Sequence, residues 1–151
     1  MNFLRRLMEV TIVTLAMFGS FSLVWMATDR TPPIEYEGAR ALKPSVARGG
    51  AIDIEFKVFR TRICSLVARR WLTDALGEKH SIPSYTVGPQ MLAGRETYSR
   101  SITIPMAAAL GPAWYEVALD YSCNIFHQWG FPIRVVSPPV PFNITDDDLD
   151  R

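Results

Sequence analysis

Two cysteines, two histidines and a cluster of arginines hold most of the reactive chemistry in this 151-residue chain. His80 and His127 stand in none of the HxxxH, CxxC or HxE spacings that gather metal ligands. With Met91 and Met106 they would make a copper site only if distant segments converged, so the methionines are expected to pack and the histidines to sit in loops. Cys123 and His127 have the types of a nucleophile and its base, but a cysteine held in a disulfide has no thiolate to offer. The G-x-S-x-G elbow is missing, and Gly49-Gly50 lacks the lysine of a phosphate-cradling loop. Adjacent carboxylates occur at Asp146-Asp147-Asp148, in a tail with nothing to raise a pKa. The expectation is a non-enzyme with no cofactor and no metal.

Binding chemistry is better represented. Arg60, Arg62, Arg69 and Arg70 flank Cys64. If their two runs paired as neighbouring strands, the guanidinium groups would share one surface, suited to an anionic headgroup, a carboxylate or a glycan. The alternative is local pairing with Asp53, Glu55, Asp74 or Asp120. Residues 126–130, FHQWG, read as a strand-joining loop in which Phe126 and Trp129 either present rings to a partner or fold back on the core. Asn143-Ile144-Thr145 has the pattern of a glycosylation sequon. A net charge of +1 argues against a dedicated nucleic-acid binder.

The elements that must position these groups begin with an apolar run. Residues 10–27, VTIVTLAMFGSFSLVWMA, hold no charge. As a helix they span about 27 Å, close to a bilayer's hydrocarbon thickness. Arg5 and Arg6 precede the run, Asp29 and Arg30 follow it, and Trp25 sits where an indole suits the headgroup boundary. The basic flank places residues 1–9 in the cytoplasm and the rest of the chain outside it. Trp25, two places before Ala27, makes a poor signal-peptidase site, so the segment reads as an uncleaved signal-anchor. Ala16 and Ser20 are small residues four apart, a weak signal for helix pairing.

Thr28 to Pro33, residues 28–33, read as an extended spacer because of Pro32-Pro33. A β domain over 34–145 follows, then an acidic tail over 146–151. Ile52, Ile54, Phe56 and Val58 alternate with charged residues, a half-buried strand. Cys64 falls on the same phase, and Arg60 and Arg62 share it, so either the strand leaves the core there or a bulge resets it. Further strands are expected near 66–72, 79–87, 98–104, 114–123, 131–136 and 140–144. Tyr115, Val117, Leu119, Tyr121 and Cys123 lie on one face of the strongest. Residues 106–110 have room for one helical turn. In an oxidising compartment Cys64 and Cys123 are expected to form a disulfide.

Tyr121, two residues before Cys123, has the spacing of a tyrosine corner, and the Cys64–Cys123 interval fits a bridge between two facing sheets. Over residues 34–144 the chain thus resembles the immunoglobulin-like fold, with Trp71 as the tryptophan packed on the bridge. That resemblance implies an all-β sandwich of about seven strands and no particular function. The anchor, the Pro-Pro spacer, the phrase VFRTRIC over residues 58–64 and DYSCN over 120–124 resemble small single-pass membrane proteins of tailed phages and prophages. That implies a host inner membrane. Together these readings describe a membrane-anchored, non-catalytic binding or structural module facing the periplasm or the exterior. Lipid would contact residues 10–27, and a protein or envelope component would meet the domain. The alternatives are an accessory subunit acting through its helix and a periplasmic metal-handling domain.

Overall fold

The computed structural model describes residues 2–89 and 93–146, which form two helices and nine strands. Met91 and residues 147–151 of the acidic tail lie outside the described residues.

The first helix, α1, spans Asn2–Thr28. Its stretch Phe3–Thr28 is long and apolar enough to cross a membrane, and none of it is buried in the rest of the chain. The hydroxyls of Thr11, Thr14, Ser22 and Thr28 donate to the carbonyls of Leu7, Val10, Phe18 and Val24, one turn back. Those polar atoms therefore need no water, which hydrocarbon would not supply. Glu9, the carboxylate nearest the apolar run, is paired with Arg5 at 3.0 Å.

The remainder is a β-rich domain. Strand β1 spans Ile34–Ala41, β2 Ser45–Ala47, β3 Ala51–Arg60, β4 Ser65–Thr73, β5 Lys79–Val87, β6 Gly94–Thr103, β7 Gly111–Ser122, β8 Ile133–Val136 and β9 Val140–Thr145. Among the described residues, one sheet has the order β1-β3-β6 and the other β2-β9-β7-β4-β5, with β8 also paired to β7. All pairings are antiparallel except β2 with β9.

The alternation seen in the sequence sets which face is covered. Ile52, Ile54, Phe56 and Val58 point inward from β3, and Tyr115, Val117, Leu119 and Tyr121 from β7. They join Leu66, Leu72, Ile102, Val140, Phe142 and Ile144 in one core shared by both sheets. Each such aliphatic or aromatic side chain stabilises the fold by about 1.5–3 kcal/mol relative to exposure.

The expected disulfide between Cys64 and Cys123 is present, but its place differs from the expectation. Ser65 pairs with Ser122, so the cysteines cap the ends of two neighbouring strands of one sheet instead of joining facing sheets. The other two marks of the resemblance also differ. Among the described residues the Tyr121 hydroxyl finds no hydrogen-bond partner, where a tyrosine corner needs one. The Trp71 indole donates to Glu116, on the outward phase of β4 away from the bridge.

Other departures are local. Strands β1 and β2 were not foreseen. Residues 106–110 form a turn closed by Ala108 N–H to Pro105 O, not a helix. Within the expected loop, Ile125–Gln128 forms one helical turn, α2, capped by the Asn124 side chain. The Pro-Pro segment is not a free spacer: Pro33 is buried, Thr61 donates through its hydroxyl to Pro32 O, and its amide donates to Pro33 O.

Candidate functional site

Arg60, Arg62, Arg69 and Arg70 do not share a surface, because β3 and β4 belong to different sheets. Arg60 continues the inward phase of β3 and is buried, with Nη2 2.7 Å from Glu96. Arg62 turns toward the end of α1, with Nη1 2.6 Å from Asp29 and Nη2 2.9 Å from Thr31 O. Arg69 points outward to Asp120, which also takes two bonds from Arg134. Arg70 bonds Pro83 O and lies over the Tyr85 ring, 5.0 Å from its centre. Arg60 therefore belongs to one place, Arg62 to a second, and Arg69 and Arg70 to neither.

The first is an inter-sheet cleft beside the two edge strands, β5 and β6. Arg60, Glu96, Tyr85, Tyr98, Arg100 and Tyr121 supply its polar lining, and Ile34, Leu66, Val87 and Leu119 its apolar lining. The cavity measures about 30 Å³, room for one or two waters. The inward phase of β6 carries Glu96, Tyr98 and Arg100 where apolar residues would complete a core. Inward charges on an edge strand deter pairing with another chain. Here they also meet aromatic partners: Arg100 lies 5.2 Å from the Tyr98 ring centre and 5.6 Å from that of Tyr85.

Two groups of residues lining this cavity, Arg60 Nε and the Tyr121 hydroxyl, are buried with no hydrogen-bond partner among the described residues. Tyr36 and Tyr115 nearby have buried hydroxyls in the same condition. Arg60 lies beside Tyr121 and Arg70 beside Tyr115, but neither pair closes with hydrogen-bonding geometry. Burial pushes the Tyr98 phenol up to about 12 and holds those of Tyr36, Tyr115 and Tyr121 higher still. All are thus hydrogen-bond donors at neutral pH. A site of guanidinium and phenol donors suits an oxyanion.

The second place is a collar around the end of α1. Asn124 Nδ2 donates to Met26 O at 3.0 Å, and Arg30 Nη1 to Phe131 O at 2.9 Å. His127 is buried. Its Nδ1 accepts from the Cys123 amide, which leaves the Nε2 proton to reach Asp29 O at 3.0 Å. The Arg62 hydrogen bond, above all, holds the Asp29 carboxyl below its ordinary range, with the Thr31 amide helping. Phe126 is half-buried and meets the Trp129 ring edge-on, while Trp129 is 69% exposed.

Asp74, Glu78 and His80 also come together, with ligand atoms within 4.8 Å of one another. Asp74 is already engaged: Oδ1 accepts from the Leu76 and Glu78 amides, and Oδ2 from the Ala109 amide with His80 beside it. Those bonds hold its pKa well below the usual range and clasp the β4–β5 hairpin to the turn before β7. Met106 is exposed on that turn, and His127 sits in the collar, so the described residues of the copper alternative do not converge.

Sequence reasoning missed Tyr98, Arg100 and Glu96 in the cleft and Asp29 and Asn124 in the collar. One signal was available for the cleft: Arg60 keeps the inward phase of a strand that is otherwise apolar on that face.

No family model and no curated protein sequence matches the chain. Among solved structures, it is similar to the alkylpurine DNA glycosylase AlkC of Pseudomonas fluorescens bound to DNA containing an abasic site analog, at 12% identity and a TM-score of 0.46. That match covers 82% of this chain and 33% of the glycosylase chain. It is also similar to Spo0M, a sporulation control protein of Bacillus subtilis, at 13% identity and a TM-score of 0.35, over 76% of this chain and 50% of that one. The chain thus spans a third and a half of these two chains, and likenesses of this strength carry no argument about activity.

Proposed function

We propose that this chain is a single-pass membrane protein whose β domain is a non-catalytic binding module on the non-cytoplasmic side. The observation that carries the reading is α1: an apolar helix with exposed side chains and internally bonded hydroxyls, joined to a disulfide-bridged domain. A helix apolar all round needs lipid or protein about it. Arg5 and Arg6 on its N-terminal flank favour a cytoplasmic N-terminus, and the disulfide favours an oxidising compartment for the domain.

The binding face in this reading is the cleft between β5 and β6. Its guanidinium and phenol donors are suited to a carboxylate or similar anionic group of a protein or envelope partner, which would take the place on Arg60 that the half-exposed Glu96 carboxylate now holds. Of the immunoglobulin-like layout this reading keeps the two sheets over one core, while the bridge, Tyr121 and Trp71 depart from it, and kinship with phage-encoded inner-membrane proteins rests on the sequence pattern of anchor, Pro-Pro segment and β domain.

Sedimentation tests the reading. Membranes of cells producing the full chain, washed in alkaline carbonate, are expected to keep it in the pellet. Release of intact chain into the wash would refute the anchor.

A further inference from the structure

The collar places an apolar surface where the helix leaves the domain. Residues 26–30 receive hydrogen bonds from, or give them to, Asn124, His127 and Phe131. The turn carrying those three residues is therefore fixed at the level of the helix end. The segment around Ile63 is fixed there too, because the amides of Thr61 and Arg62 both reach Pro33 O. On these two segments Trp129 is 69% exposed, Phe131 61%, Ile63 48% and Ile125 45%. Trp25, on the last turns of α1, is 69% exposed as well.

Clustered large apolar side chains on a domain surface mark an interaction face. Here the position of the face names its occupant. If residues 10–27 cross the bilayer, residues 26–30 lie in the headgroup layer. Side chains on segments bonded to them then fall at the level of the membrane–water interface, where aromatic side chains concentrate. Beside them, Trp25, Thr28, Asp29, Arg30, Thr31 and Arg62 line a cleft of about 320 Å³. Arg62 Nε is buried there without a partner. The Asp29 carboxylate in this cleft is taken by Arg62, which leaves exposed Arg30 and Trp25 as the groups that match the chemistry of a phospholipid headgroup.

We infer that Ile63, Ile125, Trp129 and Phe131 insert into the headgroup layer of the bilayer that α1 spans, with Arg30 and Arg62 at phosphate depth. The domain is thereby held against the membrane at a fixed tilt, with its collar unavailable to a protein partner. This inference rests on the membrane reading above and goes beyond it, since a tethered domain need not touch lipid.

The test uses the full chain reconstituted into phosphatidylcholine vesicles doped with a phospholipid carrying a diazirine near its glycerol backbone. After irradiation, lipid adducts are mapped by mass spectrometry. Adducts are expected on residues 125–131 as well as on the last turns of α1, and the double variant Trp129→Ser, Phe131→Ser is expected to lose those in the turn while keeping those in the helix. Chain that floats with the vesicles but carries adducts on α1 alone would overturn the inference and leave the anchor standing. Chain that does not float would overturn both.

Discussion

Arg62 and Asp29 meet at 2.6 Å, joining the segment that follows β3 to the first residue beyond α1. The pair fastens to the domain what the sequence presents as an extended spacer. His127, Asn124 and Arg30 add hydrogen bonds on the other side of the helix end. The orientation of the domain relative to its helix is therefore set by side chains far apart in sequence.

Arg62→Ala is expected to loosen this joint without unfolding the domain. Both partners are partly solvated, so the loss in stability is about 1 kcal/mol or less. Hydrogen exchange at the Thr61 and Arg62 amides is expected to speed up while the β3 and β7 amides stay protected. The sign of the pH dependence follows from the lowered Asp29 pKa. The contribution is present above the carboxylate's unfolded pKa and is lost as pH falls through the lowered folded value. Unchanged exchange in the variant would show that the pair does not hold the joint.

The disulfide closes a loop between residues 59 apart. In the chain-entropy picture such a closure stabilises the fold by about 4 kcal/mol through the unfolded state. Replacing Cys64 and Cys123 together by alanine should lower the denaturation midpoint accordingly, and adding reductant to the unaltered protein should reproduce that shift. An effect below about 1 kcal/mol would mean that the β4–β7 pairing already restricts the unfolded chain.

Tyr36, Tyr98, Tyr115 and Tyr121 have phenols raised by burial. An alkaline titration followed by phenolate absorbance is expected to find all four protonated at about pH 11 while the domain is folded. Their folded pKa values exceed the unfolded one, so this contribution is whole below the unfolded pKa, near 10, and declines as pH rises toward and through the folded values. Unfolding by urea should become easier across that interval. Four phenols ionising near pH 10 in folded protein would contradict the buried cluster.

Arg60 separates a structural role from a binding one. Arg60→Met fills similar space without a charge, and it leaves Glu96 partly exposed to water. Exchanging a buried ion-pair member for an apolar residue of like volume is often tolerated when the partner can be solvated. The variant is expected to fold with its melting temperature within ~5 °C of the parent, the change expected of about 1 kcal/mol or less. It is expected to lose the partner that crosslinks to the parent in native membranes. An unchanged crosslinking pattern would remove the cleft as the binding face.

The sequence made some of this legible for physical reasons. Alternation gave β3, which has one covered and one open face, and β7, whose apolar phase is clear in the sequence although Ala118 and Asp120 on its other phase are buried too. Strand β1 hides because Glu35, Glu37 and Arg40 lie among small residues and its register slips between Tyr36 and Gly38. Four residues are too few for helical periodicity, so α2 announces itself only through the Asn124 cap. Strand phase says nothing of which strands are neighbours, which is why the disulfide was expected with the wrong geometry and why a shared arginine surface stood open beside local pairing. The tyrosine cleft draws on residues 34 to 121 and has no spacing to read; it exists only once the chain is folded.

Topology is tested most directly by labelling single introduced thiols in sealed, right-side-out membranes. Leu76→Cys lies on an exposed loop of the domain, and Leu4→Cys on the N-terminal flank. With the native cysteines locked in their bridge, a membrane-impermeant maleimide is expected to modify position 76 at once and position 4 only after detergent is added. Labelling of position 4 in intact membranes with position 76 protected, or of both in chain that never sediments with lipid, would contradict the account.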